Sequence, residues 1–411
     1  MACRTQLTPA AIAVVVSFAC AAPASAATKL VIRGHGYGHG VGMSQFGAYG
    51  YAKHGSDYRQ ILAHYYTGTA LATLPAEPQV GVLLAAGRSH ASFTGATRTG
   101  DRKLSATQTY TVAPNGTGGT VLTSASGRVL ARTAGVLRVD AGGTDPVKLM
   151  GAKTYRGALE FRPTPIGTMN VVNSLGVENY VRGVVGAESP SSWPQDALRA
   201  QAVAARTYAL TTDAGTKTDG FTQYADTRSQ VYRGVAAETA STDQAVAATK
   251  LEVVTYDGKP VPTYFFSTSG GQTENIENSF LGALPQPYLK SVDDPYDSLS
   301  PKHTWGPISL STSQVRAKLG GLLKGSLKQI RILKRGVSPR IVRAEIVGSG
   351  GTSPVSGPEL RRRLGLFDTW ATFTVIGPGG KQTTSTAPAS TTTPATTTTP
   401  GDPASGGVGP K

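Results

Sequence analysis

The chain has 411 residues, 39% of them hydrophobic and 50 of them glycine, a composition that supports a packed core and excludes a wholly disordered protein. Only 16% are charged, against about 25% in ordinary soluble domains, so Thr, Ser, Gly and Gln must supply much of the surface. Forty Lys plus Arg against 25 Asp plus Glu give +15, a balance that suits anionic surroundings or serves solubility alone. No Lys/Arg run exceeds Arg361-Arg362-Arg363 and no nucleic-acid-binding signature is present, which argues against nucleic acid as the partner.

Arg4, the apolar run from Ala10 to Ala22 and the A-x-A sequence Ala24-Ser25-Ala26 read together as a signal peptide over residues 1–26. The run is too short to cross about 30 Å of hydrocarbon, so the expectation is a secreted protein of the cell wall or extracellular space, with no membrane span after cleavage. A lipoprotein reading through Cys20 is disfavoured by the bulky Phe18 close before it. Cleavage removes both cysteines, Cys3 and Cys20, leaving no disulfide, thiolate nucleophile or Cys zinc site.

Residues 27–75 open with a strand-like run, Leu30-Val31-Ile32, pass through a Gly/His-rich loop and continue as a helix from Met43 to Ala52. Residues 76–165 are β-rich, with strands expected at Val80–Leu84, Thr120–Thr123 and Val136–Val139 and turns at Asn115-Gly116 and Ala141-Gly142-Gly143. Residues 166–376 read as the functional core, with a helix at Ser313–Leu319 and strands at Ile330–Leu333, Ile341–Val347 and Thr372–Ile376. Residues 377–411 form a Thr/Pro-rich stretch read as a disordered tail, serving as spacer or glycosylation target or as neither. There is no internal repeat, and the fold class expected is α+β, mixed sheet and helix rather than βαβ alternation.

The clearest helix start is Ser192, with Gln195 placed to complete a capping box and Pro194 in the first turn. Leu198, Ala202, Ala205, Tyr208 and Ala209 follow at helical spacing. Glu188 lies just ahead, between this helix and the strand-like run Tyr180–Val185. Two readings stand for it. A helix N-terminus would favour its charged form, whereas desolvation by apolar neighbours would raise its pKa and make it a proton donor.

The segment from Val184 to Ala209, holding Gly186-Ala187-Glu188-Ser189-Pro190 and Ala200-Gln201-Ala202-Val203-Ala204-Ala205-Arg206-Thr207-Tyr208, resembles the signature of the SpoIID/LytB family (stage II sporulation protein D and the amidase enhancer LytB). So do Phe266-Ser267-Thr268-Ser269-Gly270-Gly271-Gln272-Thr273, followed by Pro287–Val292, and Gly38-His39-Gly40-Val41-Gly42-Met43-Ser44-Gln45-Phe46-Gly47. The resemblance spans roughly Val80 to Ile376 plus the His39 segment. It implies a secreted or envelope protein acting on peptidoglycan: the sporulation member is a lytic transglycosylase preferring strands stripped of stem peptides, and the LytB member enhances a wall amidase. The family's catalytic glutamate falls on Glu188. Substrate-binding candidates are His39, Ser44, Gln45, Ser267, Ser269, Gly270, Gly271, Arg206 and Tyr208.

Two departures carry consequences. The Gly-His-Gly motif, C-terminal in the family, here opens the chain. A circular permutation would then put Lys29–Arg33 beside Ala371–Ile376 and bring His39, Ser44 and Gln45 to the Glu188 cleft. A zinc site with Cys ligands, suggested by the sporulation branch, does not carry over, and no cofactor is expected. The glycines of residues 34–42 let backbone approach a ligand without Cβ obstruction. The segment reads as a sugar-contacting loop, as a structural loop, or as part of a zinc set of His35, His39 and His64. For Ser267–Gly271 a sugar-binding turn and a plain αL turn both stand. A P-loop and a G-x-S-x-G serine hydrolase elbow are excluded by the missing residues.

Most glycosidases need two carboxylates, but a lytic transglycosylase works with one, because the C6 hydroxyl of muramic acid attacks its own C1. Glu188 as lone acid and base suits that chemistry. Two function classes therefore stand: a glycan-cleaving enzyme that leaves 1,6-anhydro-muramic ends, and a non-catalytic wall-binding or amidase-enhancing module. The partners expected are peptidoglycan glycan strands, anionic wall polymers and a wall amidase.

Overall fold

Leu30 and Ile32 are buried while Lys29 and Arg33 face solvent, as the pleat of a strand with one packed face requires. This strand, Lys29–His35, lies between Thr304–Ser311 and Ala371–Ile376 and is antiparallel to both. Leu30 is opposite Leu310 on one side and Val375 on the other. The pairing expected of a permuted chain is therefore present. The computed structural model describes residues 28–385 except 117, 144, 214 and 216–218; the proposed signal peptide and the tail beyond 385 lie outside the described residues. The architecture is α+β, with mixed sheets and the helices α1 (Gln45–Lys53), α2 (Tyr58–Tyr65), α3 (Val177–Glu188), α4 (Gln195–Thr211), α5 (Ala240–Ala248), α6 (Ile276–Ser279), α7 (Thr312–Leu319) and α8 (Gly357–Leu364).

Three apolar cores organise these elements. The seam strand packs Leu30 and Ile32 with Trp305, Leu310, Phe373 and Val375, with the sheet of Leu327–Arg335, Ile341–Gly348 and Gly351–Ser356, and with α7 and α8. The β-rich region forms a second core between a seven-stranded and a six-stranded sheet, closed by α3 and one face of α4 through Leu198, Ala202, Ala205 and Ala209. The other face of α4, with Ala200, Val203 and Ala204, packs on α1, α2 and the strand Glu252–Tyr256. The alanines let all these neighbours approach closely, so α4 is the post between two cores.

Several sequence expectations change. The line between 165 and 166 falls inside one sheet, because Met169–Gly176 pairs with both Ala158–Pro163 and Gln79–Arg88; β-rich region and core are one packed unit. The strand-like run Tyr180–Val185 is helical. Val177, Tyr180, Val181, Val184 and Val185 are all buried at the i, i+3, i+4, i+7, i+8 spacing of a helix face, and packing on the core overrides the strand propensity of valine. The capping box at Ser192 does not form. Helix α4 starts after Pro194 without a side-chain cap, and Gln195 instead donates to the Ser241 carbonyl at 3.1 Å and shares a contact with its hydroxyl at 3.0 Å. The tail begins later than residue 377. Gln382–Thr384 pairs with Ala371–Ile376, after a turn with Gly379 and Gly380 at positive φ, and Ser385 exchanges hydrogen bonds with Phe373. Among the described residues no helix is long and apolar enough to cross a membrane.

Ile32 is fully buried in the seam, so Ile32→Ala should lower unfolding free energy by about 2–5 kcal/mol. Lys29→Ala on the exposed face of the same strand should stay within about 0.5 kcal/mol. Urea denaturation followed by circular dichroism measures both.

Candidate active site

Backbone hydrogen bonds zip the first glycine-rich segment to the Phe266–Thr273 segment. Tyr37 and Thr268 exchange bonds at 2.8 and 3.0 Å, the Met43 N–H donates to the Tyr264 carbonyl at 3.1 Å, and the Phe46 N–H donates to the Ser267 carbonyl at 3.0 Å. Met43–Ser44 and Phe265–Phe266 run parallel as a two-residue ladder. Approach this close requires glycine at position 42, where φ is +75° and a Cβ would collide with the Tyr264 carbonyl.

Beneath this junction sits the buried carboxylate of Asp297, in the turn Pro295–Leu299. Its Oδ1 accepts from Ser44 Oγ at 3.0 Å and the Ser269 N–H at 2.9 Å. Its Oδ2 accepts from the Gly270 N–H at 2.8 Å and His303 Nδ1 at 2.9 Å. Ser44 is also the N-cap of α1, accepting from the Gly47 N–H. Ser44, Ser269 and Gly270 are thus turned inward to bind a carboxylate, not outward to bind a sugar. Gly271 likewise donates to Ser269 Oγ at 3.0 Å. The turn that reads equally as sugar-binding or structural is structural here.

Capping by Ser44 sets α1 so that the next residue, Gln45, reaches Glu188. Gln45 Nε2 lies 3.3 Å from Glu188 Oε2, from the Glu188 carbonyl and from Gln201 Oε1. Glu188 Oε1 accepts from the Val231 N–H at 2.7 Å. Glu188 is the last residue of α3, not a residue before a helix N-terminus, so the helix dipole there opposes its negative charge. Burial raises its pKa, against the lowering effects of the Val231 and Gln45 hydrogen bonds and the Arg233 charge. The desolvated-donor reading is the one this geometry supports.

Glu188 opens on a cavity of about 490 Å³ walled by Tyr37–His39, Gln45, Tyr208, Thr227–Val231, Tyr264–Ser267 and Phe280, a volume suited to an extended small ligand. Glu188 is the only carboxylate among those lining residues. Ser267 stays at the cavity wall. Tyr208 presents a phenol whose pKa is raised by burial, hence neutral. His39 lines the cavity, and its Nδ1 accepts from the Val41 N–H at 3.1 Å. Burial, with the Arg361 charge, lowers its pKa to about 3. His39 therefore offers a neutral ring packed on Phe266 and Phe280.

Arg206 does not reach the cavity. It is fully buried and grips Glu178 with Nε and Nη2, both at 2.8 Å, while Nη1 donates to the Glu252 carbonyl. His35, His39 and His64 are not brought together: His35 packs on Trp370 and His303, and His64 lies between the Tyr51 hydroxyl and the Asp293 carbonyl. Among the described residues no group of three or more His, Cys, Asp or Glu is arranged to hold a metal. Sequence reasoning missed the Val231 N–H, Phe280 and Asp297. The first is a backbone group without a side-chain signature. The other two lie outside the motif strings.

The SpoIID family, described as Stage II sporulation protein, matches residues 166–256, which hold α3, Glu188, α4 and the Val231 turn. The chain is 33% identical over 231 residues to Stage II sporulation protein D of Bacillus subtilis (strain 168), covering 53% of this chain and 65% of that one. It is 43% identical over 144 residues to an uncharacterised protein of Brachyspira hyodysenteriae, covering 34% and 37%. It is 33% identical over 205 residues to the amidase enhancer of Bacillus subtilis (strain 168), covering 44% and 27%. The likeness to the SpoIID/LytB family is carried by residues 166–256 and by these relatives. The chain spans less than two thirds of the length of each of these relatives.

A second buried acid adjoins the site. Asp294 accepts from the Tyr65 hydroxyl at 2.9 Å, and its Oδ2 has no protein partner. Burial, with the Asp297 charge, raises its pKa to about 7. Because the folded value exceeds an unfolded value of about 3.9, the stabilising contribution of the neutral acid is complete below pH ~4 and is lost as pH rises through about 7. Asp294→Asn should therefore gain in melting temperature relative to the parent between pH 5 and 8. Thermal unfolding of both across that range measures the difference.

Proposed function

We propose that this protein is a secreted lytic transglycosylase-like enzyme that cleaves peptidoglycan glycan strands. The observation that carries the reading is a single, partly desolvated carboxyl in an otherwise carboxylate-free cleft. Oε1 is committed to the Val231 N–H, so the proton fits on Oε2. That carboxyl gives its proton to the glycosidic oxygen as the bond to C1 breaks. The C6 hydroxyl of the same muramic residue then closes on C1, and the Glu188 carboxylate takes the C6 proton, which restores the acid and leaves a 1,6-anhydro ring. No second carboxylate and no water are required. Gln45 and the Val231 N–H stabilise the carboxylate between the two proton transfers.

Secretion rests on the leader sequence, and the +15 charge suits anionic wall polymers. The likeness to an amidase enhancer supports a second reading, a wall-binding module that promotes a wall amidase without cutting glycan itself.

Glu188→Gln keeps the shape and the Val231 N–H bond through its carbonyl oxygen, but its amide meets the Gln45 amide donor in place of an acceptor and has no transferable proton. Release of anhydro-muramic ends from purified glycan, read by mass spectrometry, should fall by roughly 10²- to 10⁴-fold. In the parent, the rate should decline as pH rises through the elevated Glu188 pKa, because the acid form is the one that starts the reaction. Anhydro products released equally by both proteins would remove Glu188 from this role, and absence of anhydro products from the parent would favour the enhancer reading.

Attachment to wall material should weaken with salt, since screening shortens to about 8 Å at physiological ionic strength. Co-sedimentation with purified walls from low to high NaCl measures this. Salt-indifferent binding would point to sugar contacts alone.

A further inference from the structure

A second cavity, of about 430 Å³, adjoins the Glu188 cleft, and His39 and Phe280 line both. Its far wall is the end of α8 and the turn that follows, with Arg361, Arg362 and Leu366. Three arginines stand in a row here, and their partners differ. Glu359 holds Arg362 with contacts of 2.7 and 2.8 Å and Arg363 at 2.6 Å. Arg361 forms no ion pair among the described residues; its Nε points at the Leu366 carbonyl at 3.4 Å. Asp368, the acid whose field reaches Arg361, is itself gripped by Arg340 at 3.0 and 2.9 Å.

Arg361 is therefore a cation without a counter-ion in partly dry surroundings, and burial lowers its pKa accordingly. A charge held that way is costly until an anion joins it. Burial lowers the pKa of the neighbouring His39 to about 3 and Arg362 is paired with Glu359, so Arg361 is the cavity's unpaired positive centre among the described residues. A guanidinium fork matches a planar two-oxygen anion better than any other, and Ser279 and Thr369 add hydroxyl groups to the same wall.

We infer that this cavity is a carboxylate-binding subsite, in which Arg361 grips a carboxylate carried by the strand whose glycosidic bond lies at Glu188. The inference rests on the proposed glycan substrate. Such a strand offers carboxylates from two sources, the lactyl group of muramic residues that carry no peptide and the stem peptide of those whose lactyl group is amide-linked to one, and Arg361 reads the chemistry they share.

The test measures binding by calorimetry on the full chain carrying Glu188→Gln, so that ligand stays uncut. The ligands are peptide-free glycan oligosaccharides with free lactyl carboxylates, the same oligosaccharides with those carboxyls reduced to alcohols, and oligosaccharides bearing stem peptides. Reduction should weaken binding roughly 10- to 100-fold, the range of a hydrogen bond to a charged group. Arg361→Gln should lose the same factor on carboxylate ligands and nothing on reduced ones, and Arg361→Lys should recover part of the loss. Dependence on Arg361 seen with peptide-free strands assigns the lactyl group; dependence seen only with peptide-bearing strands assigns the stem peptide.

Equal binding of carboxylate and reduced ligands, together with no Arg361 dependence on peptide-bearing strands, overturns the subsite. The reduced-ligand comparison needs no substitution at Arg361, so misfolding of a variant cannot mimic it. Carboxylate-dependent binding by a protein whose Glu188 form releases no anhydro products would retain the subsite and overturn the lytic reading instead.

Discussion

Four donors converge on the carboxylate of Asp297, and the rest of the site hangs from that convergence. One comes from the cap of α1, two from consecutive backbone amides at Ser269 and Gly270, and one from His303. Segments far apart in sequence are thereby fixed to one buried point, and removing any donor would leave charge uncompensated in the interior. Gln45 follows the capping serine directly, so its reach to Glu188 is set by Asp297 rather than by Glu188. The two carboxylates divide the work. One is saturated with donors and organises backbone; the other has fewer partners and opens on the cleft.

Much of the fold was legible because it obeyed simple periodicities. The apolar run Leu30-Val31-Ile32, the alanine-rich face of α4 and the helix expected at Ser313–Leu319, found as α7, all express themselves locally. Where the reading failed, local signals pointed one way and packing another. The valines of α3 favour extended chain in isolation, yet their helical spacing was present in the sequence and their burial decided the outcome. Ser192 and Gln195 had the spacing of a capping box, but Gln195 found Ser241, a partner that lies distant in sequence. The sheet joining residues on both sides of position 165 has no local signature at all.

Polar residue types were the less faithful guide at the site. Serine and glycine in Ser267–Gly271 suit a sugar, a tight turn or an anion equally well, and the selecting partner, Asp297, lies outside that segment. Arg206 sits two residues from cavity-lining Tyr208, which on a helix turns it to the other side of α4, where Glu178 is the available anion. Glu188 and Gln45 stood out because their motif strings are long. The pairing between them joins the end of α3 to the start of α1, which only tertiary structure brings together.

The seam strand has a consequence for how the molecule comes into being. Its neighbours in the sheet lie very late in the chain: the contacts of Gly36 with Trp305 and of Arg33 with Thr372 span 269 and 339 residues. Contacts of such range form slowly, since a long loop must close before they are rewarded. A ribosome makes Lys29–His35 well before either of its partners, Thr304–Ser311 and Ala371–Ile376, so both of its hydrogen-bonding edges stand open meanwhile. The glycine-rich loop that leads to Gln45 begins where this strand ends, so the cleft cannot assemble on a partly made chain. Synthesis order thus withholds a finished site until Ala371–Ile376 has been made, and it leaves an apolar edge in need of protection meanwhile.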